Sequence, residues 1–208
     1  MTAVNSPTNT QETGNSSKDF AEAILKHDCL FDLLMKLEDT DAGQQIAREY
    51  FQEKGIDDPS SHGLLPLIQM KTGVLLMFPY VSYLHRHNDS ELHDTNVPDK
   101  WQAILLPKGN KDQPIAGTLK AIAIVRHSIA HLLEGESSKR SGDNQGVDFD
   151  KRSFRANTGS IEFKKAEGYL EFFTWLRKTA RKRAVNELKL LKSSAIEHQD
   201  TADGPTDS

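Results

Sequence analysis

The sequence predicts an all-α fold, a helical bundle of about five helices. Apolar residues recur at helical spacing in several long segments, and clusters of turn-forming residues separate these segments. Only Ser160–Phe163 alternates polar and apolar residues as a half-buried strand does. Since no second strand-like stretch exists to pair with it, no sheet is expected and the helices have to pack on one another.

The first half of the chain predicts three helices. Phe20–Leu37 has a broad apolar face and forms the first helix. A second helix begins at an Asp41 cap and runs to about Lys54, before Gly55. The most apolar run, Leu64–Arg86, predicts a central helix that Pro79 kinks or splits, because proline cannot donate the helical hydrogen bond.

The second half predicts two long helices on either side of an irregular region. A short helix is expected at residues 98–105, and a long one over the apolar run Thr118–Leu133. Gly135–Ser160 is rich in Ser, Gly, Asp and Asn, which predicts a long loop. After the extended segment Ser160–Phe163, a closing helix covers Lys164–Leu191, with Trp101 and Trp175 expected as core or interface aromatics.

The two ends of the chain differ in composition from its centre. Residues 1–18 are rich in Ser, Thr, Asn and Gln, and residues 193–208 are acidic with no Lys or Arg. Because neither end has enough apolar side chains to offset the entropy of ordering, both are predicted to be disordered tails. Residues 19–192 then form one domain.

Charge is distributed unevenly along the chain. The net charge is −4, but Lys164–Lys192 carries nine Lys or Arg and three Glu, a local charge of +6. A basic helix face is more often simply solvated, yet it also suits the phosphate backbone of RNA. The candidate RNA-binding residues are Arg177, Lys178, Arg181, Lys182 and Arg183.

The remaining composition favours a cytoplasmic protein. Cys29 is the sole cysteine, so no intrachain disulfide can form, and its apolar neighbours predict a buried thiol. The N-terminus lacks the basic and apolar pattern of a signal peptide, and no apolar run is long enough to span a membrane.

The most informative segment is Arg126-His127-Ser128-Ile129-Ala130-His131. On a helical wheel Arg126 falls in the middle of the apolar stripe, where an arginine needs a partner or a ligand. His131 lies roughly 140° around the helix from Arg126, beside His127. One straight helix therefore does not direct Arg126 and His131 at one point.

This segment resembles the signature of the HEPN superfamily, an Arg, a polar residue, three further residues and a His near the end of an apolar helix. The loop, the short apolar segment and the long closing helix that follow add to the resemblance, which covers roughly residues 63–183 and is nearest to a toxin-like, plasmid-encoded HEPN branch. The resemblance implies a helical bundle that dimerises through its motif helices. It also implies a metal-independent endoribonuclease of toxin–antitoxin or phage-defence type, without a cofactor and with an antitoxin protein as a partner.

Carried over by position, the resemblance makes Arg126, His131 and His127 the catalytic residues. RNA cleavage without metal requires a base for the ribose 2′-OH, an acid for the 5′-oxygen and positive charge on the phosphate. Histidine and arginine supply these functions, and a two-fold dimer supplies two of each.

Two alternatives keep these residues but change their function. A non-catalytic HEPN-like module would bind RNA, a nucleotide or a partner protein. A metal-dependent hydrolase would use His127, His131 and Glu134, which share a helix face. His85 and His87 are expected to be ordinary residues at the edge of a loop.

Overall fold

The structure, a computed structural model, describes residues 10–55, 70–87, 92, 96–107, 117–134 and 145–202. It is mostly helical, but a four-stranded antiparallel sheet makes the all-α prediction wrong in that respect. The five helices with described bounds are α1 (Thr10–Glu38), α2 (Asp41–Glu53), α3 (Met70–Arg86), α4 (Thr118–Glu134) and α5 (Ala166–Ala202). The strands are β1 (Ala103–Pro107), β2 (Gly146–Asp148), β3 (Ser153–Ala156) and β4 (Gly159–Phe163), in the sheet order β1-β4-β3-β2.

The helices begin and end close to the predicted positions in the middle of the chain and differ at its ends. The cap of α2 is Thr40, whose side chain accepts a hydrogen bond from the Gly43 amide, so the predicted cap Asp41 is instead the first helical residue. Helix α3 continues through Pro79. Helix α1 begins inside the segment 1–18 and α5 runs into the segment 193–208, the two predicted tails, whose outer residues 1–9 and 203–208 lie outside the described part.

Most of the sheet comes from the segment predicted to be a long loop, residues 135–160. Within it, β2 and β3 form a hairpin, and β3 pairs with β4 across a turn that ends at Gly159. Gly159 has a φ of 146°, a conformation that glycine adopts without a steric penalty. Residues 135–144 lie outside the described part, so the prediction is corrected only from residue 145 onward.

The fourth strand, β1, replaces most of the short helix predicted at residues 98–105. Only Asp99–Trp101 forms a single 3₁₀ turn, which ends where Gln102 adopts a left-handed conformation with a φ of 47°. The chain then extends, and β1 pairs with β4 so that Leu105 lies opposite Ile161. The apolar residues of this short run therefore cover the core from a strand.

Aromatic side chains join the sheet to α5. Trp101 is fully buried, with its ring centroid 4.8 Å from that of Phe172 and 5.0 Å from that of Trp175. Phe163 of β4 packs on Phe172 at 5.2 Å. Helix α5 approaches so closely that a Cβ atom at Gly168 would lie 2.0 Å from the carbonyl oxygen of Trp101. Both tryptophans therefore belong to the packing between the sheet and α5, as the sequence predicts.

A buried ionic network joins α1, α3 and α5. Asp28 is 3 % exposed and accepts hydrogen bonds from Arg177 Nε (2.9 Å) and from the Tyr80 hydroxyl (3.0 Å). Arg177 Nη2 donates to Asp32 (2.7 Å), and its guanidinium lies 4.0 Å from the ring centroid of Phe31. Burial, and after it the charge of Asp28, raise the pKa of Tyr80, so the phenol stays protonated and donates. The network therefore satisfies a carboxylate that would otherwise be costly to bury.

This network sets which face of α1 is buried. The buried residues of α1 are Ala21, Ile24, Asp28 and Phe31, at helical spacing. Cys29 lies one position beyond Asp28 and is exposed, so the prediction of a buried thiol is wrong. Leucines of the predicted apolar face are also exposed, by 60 % at Leu30, 53 % at Leu33 and 41 % at Leu37.

Removing the arginine of this network should destabilise the fold. Arg177→Met leaves the buried Asp28 carboxylate without its main cation, which typically costs about 3–5 kcal/mol. Lys178→Met changes an exposed neighbour on the same helix and should cost less than about 0.5 kcal/mol. Urea denaturation of both variants measures the difference, and equal free energies of unfolding would contradict the structural role of Arg177.

Candidate functional site

Helix α4 carries the motif on its one accessible stripe. Between Thr118 and His131, the partly exposed residues follow a helical spacing, and every other residue is buried. At about 100° per residue the stripe covers an arc of roughly 140°, with Arg126 at one edge and His131 at the other. The stripe consists of Leu119, Lys120, Ala123, Arg126, His127, Ala130 and His131.

The buried side of α4 is fixed to the sheet. Ile122 and Ile129 are fully buried in the core. Ser128, also fully buried, has its hydroxyl 2.7 Å from the Ile124 carbonyl of its own helix and 2.8 Å from the Arg155 carbonyl of β3. A serine inside an apolar helix needs such an acceptor, and this one sets the rotation of α4 against the sheet.

Arg126 lies at the edge of the accessible stripe and not, as predicted, in the middle of a buried one. Its side chain is partly exposed, and it forms no hydrogen bond or ion pair with the residues that the structure describes. The charge of Arg126 affects the pKa of His85, which lies in the last turn of α3. Burial and, after it, the charge of Arg126 lower the pKa of His85. The guanidinium is therefore placed at a surface where no described carboxylate neutralises it.

His127 and His131 form a contact pair one turn apart on α4. Their Nε2 atoms are 3.0 Å apart, and their ring centroids are 4.5 Å apart. The Gln145 Oε1 atom lies 3.2 Å from His127 Nε2, and the Gln145 side-chain amide in turn donates to Asn157 Oδ1. A hydrogen bond between two Nε2 atoms requires one to carry the proton and the other to accept it, so the pair shares a single proton at this contact.

The structure does not bring Arg126 and the two histidines together within one chain. No hydrogen bond or ring contact joins Arg126 to His127 or His131 among the described residues, whereas the two histidines contact each other and Gln145 Oε1 lies 3.2 Å from His127 Nε2.

The five basic residues of α5 divide into two groups. Arg177 belongs to the buried network, and Arg181 Nη1 lies 3.5 Å from Asp28 Oδ2 and 3.9 Å from Asp32 Oδ2. Arg177 is therefore held by carboxylates of α1, whereas Arg181 lies near them with a side chain that is 60 % exposed, and its RNA-binding function stays a prediction. Lys178, Lys182 and Arg183 instead line a groove of about 800 Å³.

This basic groove lies between α5 and the C-terminal end of α3. Its wall also includes His87 and Trp175, and Glu187 lies at its base. Glu187 accepts a hydrogen bond from the Tyr83 hydroxyl (2.6 Å) and one from Ser17, and it lies 3.5 Å from His87 Nε2. Burial lowers the pKa of His87. The charge of Glu187 raises this pKa, whereas the charges of Arg183 and Arg86 lower it further. The groove therefore holds three cations, Lys178, Lys182 and Arg183, against the carboxylate of Glu187.

The set proposed for a metal-dependent hydrolase is described only in part. His127 and His131 lie together, whereas the side chain of Glu134 is outside the described part of the structure. Among the described residues no three His, Cys, Asp or Glu side chains are grouped so that they could hold a metal ion.

Two residues that interact with the motif, Gln145 and His85, are not predicted from the sequence. Gln145 lies in a segment predicted to be a loop, and only the fold of the hairpin that follows it brings it to His127. His85 is expected to be a loop-edge residue; it lies in the last turn of α3, where the charge of Arg126 lowers its pKa. The predicted helix Leu64–Arg86 already includes His85, but no local pattern indicates that Arg126 of another helix acts on it.

Comparison with known proteins adds no assignment. No protein-family model, curated protein or solved structure matches the chain significantly. Within the described residues, none of the helices combines the length and the apolar character that crossing a bilayer requires.

The electrostatic effect of Arg126 on His85 is testable by titration. Arg126→Gln removes the positive charge, so the pKa of His85 should rise towards its usual value, whereas burial continues to lower it. NMR titration of the histidine ring signals measures this change. Arg48→Gln removes an exposed arginine of α2 as the control, and a His85 pKa that responds equally to both variants would contradict this electrostatic effect.

Proposed function

We propose that the protein is a metal-independent endoribonuclease of toxin or defence type that acts as a homodimer. The proposal joins the HEPN resemblance of residues 126–131 to the geometry around them. The toxin or defence setting, and an antitoxin as partner, rest on the resemblance alone.

The observation that carries the proposal is the accessible stripe of α4. It presents a cation that pairs with no described carboxylate at one edge and a hydrogen-bonded imidazole pair at the other. The centre of the stripe holds Ala123 and Ala130, whose small side chains allow another helix to approach closely. A second copy docked on this stripe would bring the Arg126 of one chain to the histidines of the other, which a single chain does not do.

The chemistry assigns a function to each motif residue. His131 accepts the proton of the ribose 2′-OH as this oxygen attacks the adjacent phosphorus atom, and the bond from phosphorus to the 5′-oxygen breaks. The 5′-oxygen receives a proton from a second imidazole, and the products are a 2′,3′-cyclic phosphate and a 5′-hydroxyl end. Arg126 stabilises the charge on the phosphate oxygens, and it stays protonated throughout. His127, hydrogen-bonded to His131 and Gln145, orients the pair.

The basic groove offers a path for RNA towards this site. The charge of Arg126 lowers the pKa of His85 in the last turn of α3, and His87 of the groove directly follows the last residue of that helix. Lys178, Lys182 and Arg183 supply positive charge along the groove, and Trp175 supplies an aromatic wall. RNA bound there through its phosphates would reach Arg126 across the end of α3.

Alanine at either end of the stripe should abolish most RNA cleavage. We expect Arg126→Ala to lower kcat by about 10²–10³-fold, because the charge on the phosphate is no longer stabilised. His131→Ala should lower it by about 10²–10⁴-fold, because the proton transfer is removed. Cleavage of a labelled RNA in the presence of EDTA, with detection of the cyclic phosphate, measures both effects.

The matched control is Arg48→Ala, which removes an exposed arginine of α2 and should cleave RNA at the wild-type rate. RNA binding without any product, in the wild type as in the variants, would replace the nuclease proposal with a non-catalytic RNA-binding module. Cleavage that EDTA abolishes would contradict the metal-independent mechanism.

Lysines of the groove should contribute to the salt dependence of RNA binding. On single-stranded RNA, each phosphate that a cation neutralises adds about 0.7 to the slope of the logarithm of the binding constant against the logarithm of the salt concentration. Lys178→Ala and Lys182→Ala should therefore each reduce this slope by about 0.7. Lys189→Ala removes an exposed lysine of α5 outside the groove and should leave the slope unchanged. Fluorescence anisotropy at several salt concentrations measures the slopes, and equal slopes for all four proteins would exclude the groove as the RNA path.

A further inference from the structure

The imidazole pair of α4 has the arrangement of two metal ligands. His127 and His131 are four residues apart, which places both rings on one side of the helix. Their Nε2 atoms lie 3.0 Å apart, close enough for one ion to bind both once neither nitrogen carries a proton. Histidines at this spacing on one helix are a recurrent source of two zinc ligands.

The observed separation is close to what a bound ion requires. Two imidazole nitrogens at about 2.0–2.1 Å from a tetrahedral Zn²⁺ ion are about 3.3 Å apart. The two Nε2 atoms would therefore separate by only about 0.3 Å on binding. Both rings are partly exposed, so an ion reaches them from solvent without opening the core.

A nearby amide oxygen supplies a third ligand. Gln145 Oε1 lies 3.2 Å from His127 Nε2, on a side chain that Asn157 holds in place. Two imidazoles with one amide oxygen favour the divalent transition metals that prefer nitrogen, such as Zn²⁺, Ni²⁺ and Cu²⁺, over Mg²⁺ and Ca²⁺. Arg126, the cation of the same stripe, forms no hydrogen bond with either imidazole among the described residues.

We propose that His127 and His131 bind one divalent transition-metal ion through Nε2, with Gln145 as an auxiliary ligand, and that this ion inhibits the protein. The ion occupies the nitrogen atoms that the proposed nuclease uses for proton transfer, so metal binding and RNA cleavage exclude each other. The inhibition rests on the proposed function, whereas the metal site does not.

The experiment titrates the full chain, purified without a histidine tag, with Zn²⁺ in a calorimeter. The wild type should bind one ion per chain. His127→Gln and His131→Gln should each weaken binding at least tenfold, and the double variant should lose this binding step. The matched control is His87→Gln, which removes another histidine from its contact with Glu187 and should leave the affinity unchanged. Far-ultraviolet circular dichroism checks that each variant keeps its fold.

A second measurement separates the two proposals. With labelled RNA, Zn²⁺ should suppress cleavage with a midpoint at the dissociation constant from calorimetry, and EDTA should restore it. Equal Zn²⁺ affinity in the wild type and the double variant would overturn the metal site, whatever the RNA assay gives. Zn²⁺ binding that needs both histidines but accelerates cleavage would overturn inhibition. Failure to cleave RNA under any condition would overturn the nuclease while the calorimetric result on the metal site stands.

Discussion

The buried ion pair between Asp28 and Arg177 is the interaction on which the arrangement of the helices depends. It joins α1 to α5, and the Tyr80 hydroxyl extends it to α3, so three helices meet at one carboxylate. The Asp28 carboxylate is only 3 % exposed, so it is stable only when Arg177 and Tyr80 are hydrogen-bonded to it. This requirement fixes how the three helices are rotated relative to one another. Helix α1 therefore buries the face that carries Asp28 and leaves Leu30 and Leu33 at the surface.

The same ion pair determines which basic residues are available to a ligand. Arg177 is turned towards α1 by Asp28 and Asp32, whereas Arg181 lies near the same carboxylates with a side chain that is 60 % exposed. Lys178 and Lys182 are left to line the groove beside Trp175. A cluster of five cations in the sequence thus separates into a structural group and an accessible group, because helical periodicity sends consecutive residues in different directions.

The sheet fixes the orientation of α4. The helix is anchored through Ser128 to β3 and through its isoleucines to the core, and between Thr118 and His131 one stripe stays accessible. The proposed nuclease and the proposed metal site both use the imidazole pair on that stripe. If both proposals hold, the availability of metal would decide whether the nitrogen atoms carry a proton or an ion.

Local periodicity was enough to specify the long helices, the position of the motif near the end of one of them, and the angular separation of Arg126 from His131. A helix converts such periodicity directly into geometry. The sheet could not be specified in this way, because β1 to β4 have three to five residues each and depend on partners distant in the chain. The contacts of His127 with Gln145 and of Arg177 with Asp28, and the effect of the Arg126 charge on His85, likewise arise only in the folded chain, since each joins segments whose approach no local pattern encodes.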